Sequence, residues 1–236
     1  MGSRLADLEK EVALLRSQNQ TLGSTEKLQL DPDFYIAFED RFRGPFDIIK
    51  ERVAVYVSDL SHLANSKKKV VDIGCGRGEL LTVLKESHIY TIGVDNNPSS
   101  IASLQERGFE AYCEDLSRFL KRTPDASIAA ITMLHVVEHL PFDVLLSTFQ
   151  EVFRVLEPGG IFIAETPNSL NLSVGSSTFW IDPTHQRPVH PEVLRFLSIH
   201  CGFHQSNIRG LNLEAPEQKL DLYPDIALFA IKKCVK

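Results

Sequence analysis

Val70-Val71-Asp72-Ile73-Gly74-Cys75-Gly76-Arg77-Gly78-Glu79-Leu80-Leu81 decides how this chain is read. An apolar run reaches an acid, passes glycines at every second position, and enters a helix-like stretch. Strand, glycine turn and helix in that order make the ligand-binding corner of a doubly wound α/β sheet. At Gly74, Gly76 and Gly78 the missing Cβ lets backbone come close to a ligand. The next apolar run, Tyr90-Thr91-Ile92-Gly93-Val94, ends in Asp95. That is about the separation at which an acid meets ribose hydroxyls in this architecture.

The pattern is D-x-G-x-G-x-G, with an acid ahead of the first glycine. Such an acid repels a pyrophosphate and suits a cationic ligand. A further acidic pair, Glu114-Asp115, closes the next short strand, Glu110 to Cys113. Leu156-Glu157-Pro158-Gly159-Gly160 precedes a fifth. In this order the pieces resemble the class I S-adenosylmethionine-dependent methyltransferases, from Val70 to Asn168. The resemblance implies a Rossmann-like doubly wound α/β fold with a seven-stranded sheet and S-adenosylmethionine as cofactor. It places Asp72, Gly74, Cys75, Gly76 and Gly78 in the cofactor turn, with Cys75 a small packing residue rather than a nucleophile. Asp95, Asn96 and Asn97 fall where the family contacts ribose and adenine. Glu114 and Asp115 end the third strand, where Asp115 resembles the acceptor for the adenine amino group and Leu116 flanks the base; Asp115 also suits a helix N-cap. Leu134 closes the fourth strand beside the same site. The alternative is a Rossmann-like domain that binds something else or nothing.

With 236 residues, 43% hydrophobic and 24% charged, the chain has the makings of one globular core with a small appendage. A net charge of -6 argues against a general nucleic-acid binder. Cys75, Cys113, Cys201 and Cys234 are scattered with no C-x-x-C pair, which disfavours structural zinc and a disulfide framework. The absence of a long apolar run or a signal-like segment fits a cytoplasmic protein, reaching the inner face of a membrane only through partners.

Three units are expected: residues 1–23, 24–66 and 67–236. In the first, Leu5, Val12 and Asn19 share one heptad position and Leu8, Leu15 and Leu22 another, with opposite charges at the flanking positions. That is a coiled-coil pattern and predicts a homo-oligomer through residues 4–22. The competing reading is one amphipathic helix folded onto the rest. The second unit begins as a linker around Pro32, a residue that opposes helix. It continues through Asp33-Phe34-Tyr35-Ile36-Ala37-Phe38-Glu39-Asp40-Arg41-Phe42-Arg43-Gly44, a candidate lid. There Arg41 or Arg43 would pair with the cofactor carboxylate. Phe46 to Leu63 reads as one further helix.

Leu134-His135-Val136-Val137-Glu138-His139-Leu140-Pro141 follows the fourth strand, at the end where ligand chemistry belongs. One helical turn would bring His135, Glu138 and His139 to one side. Two chemistries fit: a divalent metal held by those three residues, or a metal-free histidine base. A packed junction with neither role is the plain alternative. E-x-x-E-H clusters bind magnesium in some related methyltransferases, and His135 departs from their first glutamate, an oxygen ligand that magnesium prefers.

From Ser169 to about His190 the chain reads as a long irregular stretch. It contains Phe179-Trp180-Ile181-Asp182-Pro183-Thr184-His185-Gln186-Arg187-Pro188-Val189-His190. A loop of that length is usually functional. Aromatic surface beside polar groups suits a sugar, and His185 is the first choice for a base or metal partner. The D-P-T-H-x-R-P-x-H-P segment, with F-E-D-R-F-R-G upstream, resembles bacterial methyltransferases of surface-polysaccharide (O-antigen-type) synthesis. That resemblance implies a glycan or lipid-linked glycan substrate and a methyl group that caps or ends a chain. A quinone-like phenol, a small metabolite or an RNA end is the second enzyme reading; a silent oligomeric binding protein is the reading from another class. Stretches 202–211 and 226–232 supply the last two strands.

Overall fold

The computed structural model describes residues 31–212 and 219–234. The heptad segment 4–22, the first half of the linker and the tip of the last hairpin lie outside the described residues. Seven strands form one sheet: β1 (Val70–Ile73), β2 (Thr91–Asp95), β3 (Glu110–Cys113), β4 (Ile128–Leu134), β5 (Leu156–Pro167), β6 (Gln205–Leu211) and β7 (Asp225–Ile231). Their order is β3-β2-β1-β4-β5-β7-β6. β1 to β5 run parallel, and β7 lies antiparallel between β5 and β6.

The helices are α1 (Pro32–Phe42), α2 (Phe46–Val53), α3 (Tyr56–Leu60), α4 (Glu79–Glu86), α5 (Pro98–Glu106), α6 (Leu116–Arg122), α7 (Phe142–Val155), α8 (Leu172–Ser176) and α9 (Pro191–His200). β1 and β4 are buried along their whole length. Parallel strands covered by helices on both faces read as continuous apolar runs for this reason. Along β4, Ile131 and Met133 join the core under α6, α7 and α9, while Ala130 and Leu134 join the core under α2, α3 and α4. Successive side chains of a strand point to opposite faces, so one strand feeds both layers. Phe149 of α7 meets Phe162 of β5 edge-on at 5.1 Å. Truncating a buried aromatic such as Phe149 costs about 3–5 kcal/mol.

Strand order reverses between β1 and β4, which opens a crevice at their carboxyl ends. The glycine turn after β1 and the His135–Leu140 segment after β4 form its two sides.

Several local expectations are corrected. Pro32 does not oppose helix: it occupies the first turn of α1, where its missing N–H costs nothing, and Asp31 caps that turn through Asp33 N at 3.0 Å. The expected helix from Phe46 to Leu63 is divided into α2, α3 and a short 3₁₀ turn, Ser61–Leu63. Pro158-Gly159-Gly160 does not precede the fifth strand but lies within it: β5 runs through it, with Gly159 at φ +81° and a register shift against β4. The stretch 169–190 contains α8 and a 3₁₀ turn, Thr178–Ile181.

Candidate active site

The glycines of the first turn all have positive φ: 73° at Gly74, 47° at Gly76 and 83° at Gly78. Their surroundings differ. A Cβ on Gly74 would stand 2.3 Å from Val136 Cγ2, and one on Gly78 would stand 2.3 Å from Leu104 Cδ2. Those two glycines let the turn pack on the segment after β4 and on α5. A Cβ on Gly76 would meet only the Glu39 carboxylate, at 3.8 Å, so Gly76 alone faces the cleft. Cys75 is buried, its thiol pushed well up by burial, and its sulfur packs where a Cβ on Gly93 would sit. It is a packing residue.

Asp95 ties the first two turns together. Its Oδ2 accepts from Gly76 N at 2.9 Å and its Oδ1 from Asn97 N at 2.8 Å. Asp72, in β1, accepts from Thr132 Oγ1 at 2.7 Å, and burial lifts its carboxyl to about 7. Asn97 caps α5 through Ser99 and Ser100, and Asp115 caps α6 through Ser117 and Arg118. Leu116 packs against the core and Leu134 is buried at the end of β4. Asn96 carries the backbone carbonyl that the Cys113 thiol approaches at 3.8 Å. Both oxygens of Glu114 accept from Arg122 Nε, at 3.0 and 2.8 Å.

Over this crevice lies α1. Arg77 donates to the Gly44 carbonyl at 3.1 Å and pairs with Asp40, fixing the lid's carboxyl end. Tyr35 donates to Asp182 Oδ2 at 3.1 Å and fixes the other end. Arg43 points inward and pairs with Glu39 at 3.4 Å. Burial works against its charge, but Glu39, Glu79, Glu165 and Asp72 more than offset that and hold the proton on.

After β4 the expected helical turn does not form. His135 adopts φ +55°, and a 3₁₀ turn, Val137–His139, follows. His135 and His139 therefore part company. His135 has Nδ1 3.3 Å from Glu138 Oε1 and Nε2 3.2 Å from Glu165 Oε1. Burial opposes its charge, yet the two carboxylates raise its pKa to about 10. Paired with two carboxylates, His135 forms an ion-pair junction at the end of β4. Glu138 is fully buried; its Oε2 accepts from Thr166 and its carbonyl accepts from Gln186 N at 2.8 Å. It anchors the 182–187 loop, and its Oε1, which has no hydrogen-bond partner among the described residues, lies 3.3 Å from His135 Nδ1.

His139 instead meets His185, with ring centroids 4.6 Å apart. Donor atoms of Glu138, His139 and His185 fall within 4.8 Å of one another, and so do those of His135, Glu165 and Asp225. The trio His135, Glu138 and His139 expected around one ion is thus split between two groups. His139 Nδ1 lies 2.9 Å from Thr184 Oγ1, and His185 Nδ1 donates to the Phe179 carbonyl at 2.6 Å. Burial lowers the pKa of His139 and favours the neutral ring.

Beyond His135 a cavity of about 290 Å³ opens between α1, α2 and the ends of β5 and β7. Its lining includes apolar Phe42, Val174 and Phe179 and polar Arg52, Glu165, Asn212 and Asp225. Tyr56 donates to Glu165, and Asn212 donates to Asp225 Oδ2 at 2.7 Å. The sequence reading missed Glu165, which follows the apolar run Ile161 to Ala164 inside β5.

A family model described as a methyltransferase domain matches residues 41–213. The chain belongs to the S-adenosylmethionine-dependent methyltransferases. This methyltransferase is 29% identical over 154 residues to a "probable S-adenosylmethionine-dependent methyltransferase" of Mycolicibacterium smegmatis, covering 65% of this chain and 59% of the relative. It is 34% identical over 113 residues to a trans-aconitate 2-methyltransferase of Mycobacterium marinum, covering 46% of this chain and 39% of that one. Among solved structures it resembles a SAM-dependent methyltransferase from Archaeoglobus fulgidus, with a TM-score of 0.71, 27% identity, and coverage of 84% of this chain and all of that one. The chain spans little more than half the length of the first curated relatives it matches, 59% and 52%.

The residues of this methyltransferase fit its family's cofactor. Gly76 leaves a cradle that a Cβ would fill, and the acids Asp72, Glu39 and Glu79 gather around Arg43, with Arg77 paired to Glu79 at 2.6 Å beside them. A ligand carrying a cationic sulfonium and amine beside a carboxylate matches that distribution. Among the described residues no helix is long and apolar enough to cross a membrane.

Proposed function

We propose that this methyltransferase transfers a methyl group to a sugar hydroxyl of a bacterial surface glycan or lipid-linked glycan, and that the methyl group caps the chain. The observation that carries the substrate class is the cavity beyond His135, whose lining joins the exposed ring of Phe42 to the polar groups of Glu165, Asn212 and Asp225. Sugar ring faces pack on aromatic carbon while ring hydroxyls bond to carboxylate and amide groups.

In this reading Gly76 and Asp95 hold the nucleoside end of the cofactor, and Arg43 takes its carboxylate. When bound, S-adenosylmethionine supplies a methyl carbon on a positive sulfur: the acceptor oxygen bonds to that carbon, the sulfur–carbon bond breaks, and a neutral thioether leaves. A sugar hydroxyl is a weak nucleophile at neutral pH, so its proton needs a receiver. Nε2 of His139 is that receiver; His139 and His185 lie behind the cavity lining, His185 against Phe179 at 4.4 Å. α1 closes over the reacting groups and excludes water. The heptads of residues 4–22 make the assembly a homo-oligomer, which sedimentation of the chain with and without residues 1–23 tests.

A second reading has an observation of its own. Arg43 and Arg52 both line the cavity, and the trans-aconitate methyltransferases among the relatives point to a small carboxylate as acceptor. A carboxylate is already anionic and needs no base. Methyl transfer from labelled S-adenosylmethionine to glycans, phenols and trans-aconitate, each with and without chelator, separates the readings. Label on a glycan that survives chelator supports the sugar reading with a histidine base. Label on trans-aconitate alone replaces it, and label abolished by chelator and restored by a divalent ion replaces the metal-free base.

A further inference from the structure

Asp182, Thr184 and His139 form a chain of short hydrogen bonds from the long loop to the end of β4. Thr184 Oγ1 lies 2.6 Å from Asp182 Oδ1 and 2.9 Å from His139 Nδ1. The Thr184 backbone N–H donates to the same Asp182 oxygen at 2.8 Å. The Asp-Pro-Thr sequence builds this turn locally, because an aspartate readily accepts from the N–H two residues on.

A hydroxyl carries one proton, and Asp182 Oδ1, His139 Nδ1 and the Tyr35 oxygen all lie within its reach, while His139 also bonds the Thr184 backbone. A carboxylate oxygen at 2.6 Å is a stronger acceptor than an imidazole nitrogen at 2.9 Å. The Thr184 proton therefore goes to Asp182, and the Thr184 oxygen is left to accept from His139 Nδ1–H. With its proton held on Nδ1, the ring has its lone pair on Nε2. The second oxygen of Asp182 is occupied as well, because Tyr35 of α1 donates to it at 3.1 Å. One carboxylate thus serves the lid with one oxygen and the histidine relay with the other.

We propose that Thr184 and Asp182 are positioning residues that hold His139 in its Nδ1–H form and so present Nε2 to the acceptor oxygen, with Tyr35 joining this arrangement to the closed position of α1. The proposal rests on the oxygen-acceptor reading of the site. It assigns a role to the D-P-T-H segment other than direct substrate contact. His185, held by a backbone carbonyl at 2.6 Å, has no such relay.

The test is nitrogen NMR of the full chain with labelled histidine, the His139 signals being assigned by their loss in His139→Gln. Thr184→Val keeps the shape of the side chain and removes the hydroxyl; Thr184→Ser keeps the hydroxyl. Thr184 sits in a part-exposed loop, so both variants fold. The wild type and the serine variant are expected to show a protonated Nδ1 and a bare Nε2 on His139, and the valine variant to lose that form. In methyl transfer the valine variant is expected to lose on the order of 10- to 100-fold in kcat with KM unchanged, and serine to restore most of it. A valine variant with the wild-type tautomer overturns the proposal, as does a serine variant as impaired as the valine one. Full turnover in His139→Gln would instead remove the base reading, while the NMR result still judges the hydrogen-bond chain.

Discussion

Tyr35 in α1 donates its hydroxyl hydrogen bond to Asp182, 147 positions away, at 3.1 Å. This is the lid's tie to the acceptor loop; the tie to the glycine turn is Arg77, through Asp40 and the Gly44 carbonyl. A hydrogen bond to a charged group is worth about 1.5–3 kcal/mol, and partial exposure puts this one near the lower end. Tyr35→Phe is expected to raise amide exchange across Ile36 to Phe42 about tenfold and to speed cofactor release. Unchanged exchange would mean that other contacts hold α1.

The glycine turn separates into two kinds of residue. Gly78→Ala would drive a Cβ to 2.3 Å from Leu104 in a backbone with φ +83°. Overpacking costs typically about 1–3 kcal/mol, and the left-handed backbone adds about 1–2 kcal/mol. Gly76→Ala meets nothing closer than 3.8 Å and carries only the backbone cost. Thermal melts and calorimetry are expected to show Gly78→Ala losing melting temperature, and Gly76→Ala losing cofactor affinity with a small change in melting temperature. Equal melting losses would place Gly76 in the packing as well.

His135 gives stability a pH dependence. Its folded pKa of about 10 lies above the ordinary 6.5, so its contribution is complete below pH 6.5 and is lost as pH rises through 10. Removing one partner from a buried ion pair costs on the order of 3 kcal/mol. The melting-temperature gap between wild type and His135→Gln is expected to be widest near pH 6 and to narrow toward pH 10. A constant gap would mean that the ring is neutral throughout.

Arg43 is the inward cation among four carboxylates, Glu39, Glu79, Glu165 and Asp72. Arg43→Ala is expected to weaken S-adenosylmethionine binding about tenfold or more in calorimetry, since a charge-assisted pair is worth about 1.5–3 kcal/mol. Affinity at the wild-type level would assign Arg43 to the lid alone.

The sheet was legible because β1, β2 and β4 are buried on both faces and so stand out as apolar runs, and because Gly74, Gly76 and Gly78 can hold left-handed backbone in one short turn. The residues after β4 were less legible. Grouping His135, Glu138 and His139 assumed regular helix, but His135 takes φ +55° and the ring swings to Glu165, a partner 30 positions away. Glu114, read beside Asp115, also bonds Arg122, eight residues on. Pro32 was read as a breaker because the sequence alone does not mark where α1 begins. Long-range pairings of this kind follow from tertiary packing and carry no local sequence signal.

The most direct test of the account is methyl transfer from labelled S-adenosylmethionine to a glycan panel by wild type and His139→Gln, with cofactor affinity of both measured by calorimetry. The expected result is label on a glycan with wild type, a loss on the order of 100-fold in kcat in the variant, and equal cofactor affinity. Label on trans-aconitate or a phenol and on no glycan, or equal turnover in the variant, would contradict it.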